Sequence, residues 1–104
     1  MMRLKPTFAV NMKHTPESCP RFNDEVRKKF KDAIMIRKDA GEKYGVNILS
    51  ASASTIEHKT FYILEASSLK SVENYFIEIG FAFWNDIEIS QVIPMEDVIR
   101  KITE

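Results

Sequence analysis

The apolar residues of this chain change period along its length, from two to between three and four and back again. Each change marks the end of one kind of element and the start of another. Between Leu4 and Lys13, Phe8, Val10 and Met12 alternate with Thr7, Ala9 and Asn11, which predicts a half-buried strand with Pro6 tolerated near its start. The two prolines of the segment 14–20, HTPESCP, exclude regular structure and predict a short, stiff loop. From Phe22 the apolar positions Val26, Phe30, Ala33, Ile34, Ala40 and Tyr44 recur at helical spacing. Asn23 or Ser18 is the candidate cap, Gly45 the terminator, and Gly41 weakens the last turn. The opposite face, with Arg27, Lys28, Lys31, Lys38 and Glu42, reads as solvated surface.

The period then returns to two. Val46, Ile48 and Leu49 open a strand whose small-residue second half, Ser50 to Ser54, has little to pack and predicts a bulge or pairing with another chain. After a turn at Thr55 to Glu57, the segment HKTFYILEA is rich in β-branched and aromatic residues and predicts a third strand. Ser67 or Ser68 then caps a second helix carrying Leu69, Val72, Tyr75, Phe76 and Ile79 on one face, closed by Gly80. Asp86 to Ile93 alternates again until Pro94, and Val98, Ile99 and Ile102 in the tail predict a short C-terminal helix docked on the body.

The order βαββαβ, with both helices as right-handed crossovers, predicts an α+β fold of the ferredoxin-like type. Its antiparallel sheet has the order 4-1-3-2, with the helices on one face. The other face is left open, so a homodimer is expected. At 104 residues the chain predicts one domain, 1–104. Fifteen basic and fifteen acidic side chains cancel, which argues against nonspecific nucleic-acid or membrane-surface binding. No apolar run reaches the length of a membrane span. A single cysteine and an N-terminus without an apolar leader core predict a cytoplasmic protein.

Strand direction has a chemical consequence. With β1 and β2 running one way and β3 and β4 the other, the end of β1 shares a sheet edge with the starts of β3 and β4. That edge is expected to gather His14, Cys19, Glu57, His58, Trp84 and Asn85. Two imidazoles, a thiolate and the Glu57 carboxylate are suitable ligands for zinc or copper, or for iron in haem. A different chemistry from the same residues is a Cys19 thiolate activated by a histidine and by a following helix N-terminus. A third arrangement is a small-ligand pocket between sheet and helices involving Phe8, Tyr62, Phe81, Phe83 and Trp84, with Asn85 beside it. In the plain structural alternative Cys19 packs as a small hydrophobe, His14 bonds the β3 edge and Trp84 plugs the end of the sheet.

The string His14, Pro16, Cys19, Pro20, the strand opening Glu57, His58, Lys59, and the pair Trp84, Asn85 give the chain a resemblance over nearly its whole length. It resembles the dimeric α+β barrel superfamily, and within it a group of small uncharacterised proteins sharing the H-x-P-x-x-C-P string. The resemblance implies a dimeric barrel of two sheets. The activities it implies are diverse: cofactor-independent monooxygenases, haem-degrading or haem-dependent enzymes, and simple ligand-binding modules.

Overall fold

The computed structural model describes residues 5–104, so Leu4, placed above at the start of the first strand, lies outside the described residues. The described residues form four strands: β1 (Thr7–Lys13), β2 (Asn47–Ser54), β3 (Lys59–Glu65) and β4 (Asp86–Val92). Three helices accompany them: α1 (Asp24–Tyr44), α2 (Leu69–Glu78) and α3 (Met95–Thr103). All pairings are antiparallel and the sheet order is β2-β3-β1-β4, the expected ferredoxin-like order read from its other edge.

Local chemistry sets the helix limits. Asn23, not Ser18, caps α1 by accepting a hydrogen bond from the Val26 amide at 3.0 Å. Gly45 closes the helix in the left-handed conformation at φ 66°, where a side chain would be strained. Ser68 caps α2 by accepting from the Ser71 amide at 3.1 Å. The bulge in β2 falls at Leu49, between the pairs Ile48–Leu64 and Ser50–Ile63, earlier than the small-residue run suggested.

One face of the sheet packs on α1 and α2. Phe8, Val10, Leu64, Val72 and Phe76 are its largest fully buried side chains. The even-numbered residues of β1 all point into this core, as their alternation predicts. The odd-numbered face is open, leaving Phe61 and Ile63 exposed beside Asn11 and Lys13.

The tail helix forms where its spacing predicts, but it does not dock. No residue of α3 is buried, and Met95, Ile99 and Ile102 are exposed. It packs on no other element beyond isolated contacts. The radius of gyration is 15.3 Å, against about 13 Å for a compact chain of this length. A single helix layer on one sheet face and an unpacked terminal helix account for the excess. No helix among the described residues is long and apolar enough to cross a membrane.

Candidate metal site

The register of the sheet builds this site. Lys13 of β1 pairs with Lys59 of β3 and with Asp86 of β4. One step further, His14 falls opposite His58 on one side and Asn85 on the other, and the His14 amide donates to the His58 carbonyl at 3.1 Å. His14 continues the even-numbered row Phe8, Val10, Met12, so its ring lies on the helix-covered side. The two imidazole centroids are 5.2 Å apart in an edge contact, and Trp84 meets the other flank of His14, also at 5.2 Å.

Cys19 reaches the same place from a loop that is bonded along its length. Thr15 caps a short 3₁₀ turn, Pro16–Ser18, and the Cys19 amide donates to the Pro16 carbonyl at 3.2 Å. The Cys19 carbonyl accepts from the amides of Phe22 and Asn23 at 3.0 and 2.9 Å. Two side chains from the start of α1 fasten the loop to the helix. Asn23 Nδ2 donates to the Glu17 carbonyl at 2.8 Å, and Arg27 bonds the carbonyls of Pro20 and Arg21 at 2.9 Å each. The thiol it positions is free and 3% exposed.

The outcome is a three-ligand group: one ring nitrogen of His14, one of His58 and the Cys19 sulfur lie within 4.8 Å of one another. Glu57 is not part of it. Its carboxylate accepts from Ser54 Oγ at 3.1 Å and pairs with Lys59 at 3.9 Å, closing the exposed β2–β3 turn. Its place at the entrance of β3 predicts that it shares the edge with His58. The backbone turns between the two residues, because His58 adopts φ 58°, the left-handed region. No protein-family model matches the chain, and no curated protein matches it either.

For His14 the surroundings define the tautomer. Asn85 Nδ2 donates to the Phe81 carbonyl at 3.1 Å, which turns Oδ1 toward His14 Nδ1 at 3.2 Å. As Oδ1 only accepts, Nδ1 carries the proton and Nε2 presents a lone pair. That Nε2 is buried and has no hydrogen-bond partner, and the same is true of His58 Nδ1 and Trp84 Nε1. Burial lowers the His14 pKa below its ordinary 6.5, the Asn85 hydrogen bond opposes the shift, and the nearby His58 adds to it. At neutral pH His14 is thus an uncharged imidazole with its ligand lone pair unused.

The residues expected to form a small-ligand pocket are placed differently. Trp84 and Asn85 stand beside His14 as supports. Phe8 is 2% exposed and belongs to the core, while Phe83 is on the surface. Tyr62 and Phe81 do share a cavity, one of about 510 Å³ between the sheet, α1 and α2, but away from His14, His58 and Cys19. Cys19 precedes α1, which begins at Asp24, and its carbonyl accepts from the amide of the cap residue Asn23.

Proposed function

We propose that this chain binds a single transition-metal ion, Zn²⁺ or Cu⁺, through His14, Cys19 and His58. The observation that carries the proposal is the convergence of two imidazole nitrogens and one thiol sulfur within 4.8 Å, from three separate segments. Two further features support it. Buried polar atoms nearly always have a partner, and here the buried orphans include one nitrogen on each histidine. A non-glycine residue held in the left-handed region, as His58 is, costs about 1 kcal/mol and recurs at functional positions.

The donor set selects the ion. One sulfur and two nitrogens suit borderline and soft metals and disfavour calcium or magnesium. The cavity bordering the group is about 190 Å³. Organic cofactor pockets run from about 300 Å³ upward, which favours a bare ion over haem. The His14–Asn85–Phe81 relay is the kind of outer support that fixes a ligand imidazole's tautomer.

Cobalt(II) titration of the metal-free protein tests this directly. One equivalent per chain should bind with a thiolate-to-cobalt absorption band that Cys19→Ser removes and that Zn²⁺ displaces, while competition against a copper(I) chelator reads the Cu⁺ alternative. Absence of saturable binding for all three ions would end the proposal.

The same site stands in a protein for which we propose a homodimer through the open sheet face. That face carries Phe61 and Ile63, and it sets Lys13 and Lys59 beside Asp86 and Glu88, a pattern that a two-fold axis can pair with itself. Sedimentation should give a dimer that Phe61→Glu converts to monomer; a monomeric parent at micromolar concentration would dismiss this face as an interface.

A further inference from the structure

A second cavity lies away from the histidines, where α1 and α2 cross the first half of β2 and the middle of β3. Its volume is about 510 Å³, within the ~300–1,000 Å³ of small-molecule sites. Ile34, Val46, Ile48 and Ile79 form apolar walls. Arg37 stands at its mouth and two phenols, Tyr62 and Tyr75, line it.

Among the described residues Arg37 has no carboxylate partner, and neither tyrosine hydroxyl makes a hydrogen bond. Tyr75 as a residue is only 4% exposed, yet its hydroxyl oxygen is not among the buried polar atoms, so the phenol tip opens to the cavity while its ring is packed. Burial pushes the Tyr62 hydroxyl up to about 12, with Tyr75 adding to the rise and Arg37 opposing it. Burial raises Tyr75 too, again against Arg37. Both phenols therefore remain protonated donors at neutral pH. Lys5 and Lys38 also border the cavity, and Glu42 is its single acidic residue, so its field is positive.

From this arrangement we infer that the cavity between α1, α2 and the β2–β3 strands is a binding site for a small organic monocarboxylate with an apolar body. The carboxylate is held by the Arg37 guanidinium and the Tyr62 and Tyr75 hydroxyls. A guanidinium and two neutral O–H donors match a carboxylate's acceptor-only oxygens, and the isoleucine and valine walls take the hydrocarbon. This inference is independent of the metal proposal, since the two groups share no lining residue.

Decanoate, below its micellar concentration, is a suitable probe, with decan-1-ol and decylamine as matched controls. Calorimetric titration should give one decanoate per chain, bound at least about tenfold tighter than decanol, with decylamine weaker still. Arg37→Gln should remove most of that preference, and Tyr75→Phe should weaken decanoate severalfold. Amide shifts should move at Val46 and Ala51. Arg37 is exposed and outside the core, so Arg37→Gln keeps the fold, and unchanged cobalt binding by this variant verifies that. Equal binding of decanoate and decanol would overturn the assignment, as would absence of saturable decanoate binding or an unaltered decanoate affinity in Arg37→Gln.

Discussion

Replacement of His58 by glycine separates the two roles of that residue, backbone and ligand. In the native chain its φ of 58° costs about 1 kcal/mol for a side-chain-bearing residue, and glycine relieves that strain. Glycine also raises the entropy of the unfolded chain, which takes back about 0.5–1 kcal/mol. The ring is lost as well, and with it edge contacts to His14 at 5.2 Å and Phe22 at 6.4 Å, together worth roughly 0.5–1 kcal/mol. The sum runs from zero to about 1 kcal/mol of destabilisation, so metal-free His58→Gly should unfold within about 1 kcal/mol of the parent in denaturant titrations. In the presence of metal the two should diverge. An ion at 100 times its dissociation constant stabilises the native state by about 2.7 kcal/mol, a rise of roughly 10–20 °C in melting temperature for a domain of this size. His58→Gly should show little of that rise. A metal-free variant destabilised by 2 kcal/mol or more would mean that the His58 ring is a packing residue whose conformation reflects the turn alone. A full metal-induced rise in the variant would remove His58 from the ligand set.

Other consequences are simpler. Asn85→Ala removes the acceptor that fixes the His14 tautomer, and metal affinity should fall about 10–100-fold in competition titrations while the fold is kept. The lowered pKa of His14 means that the unfolded chain binds a proton first as pH falls through 6.5. Stability of the metal-free protein is full above that pH and declines below it until the folded-state pKa is passed. Thermal melts of the parent and of His14→Gln between pH 7.5 and 5 should show a shallower decline in the variant, and identical slopes would contradict the assignment. Leu64→Ala, at a position with no exposure, should cost about 2–5 kcal/mol in equilibrium unfolding, and a loss below 1 kcal/mol would contradict its place at the centre of the core.

Much of the architecture was legible because it rests on near-neighbour chemistry. The alternation of Phe8, Val10 and Met12 names the buried face of β1, and Gly45 marks the end of α1. Helical spacing in the tail likewise predicts α3 correctly, but a period says which face is apolar and not what covers it. The same limit applies to Arg37 and Tyr75, one hidden in a solvated-looking helix face and the other in a core-looking one. Neither residue type carries a sequence signal for the cavity they share.

For the histidine site the boundary between the two kinds of information is sharp. Residue order and strand direction alone place His14, Cys19, His58, Trp84 and Asn85 at one end of the sheet, because antiparallel pairing leaves few ways to arrange four short strands. Which of them meet was decided only by tertiary structure. The β1–β3 and β1–β4 registers set His14 between His58 and Asn85, the Asn23 and Arg27 bonds bring Cys19 under that row, and the left-handed turn at His58 leaves Glu57 outside. A ligand set needs agreement to within an ångström or so among atoms as far apart in sequence as His14 and His58. Spacing along the chain carries no information at that scale; hydrogen-bond register and a single backbone dihedral do.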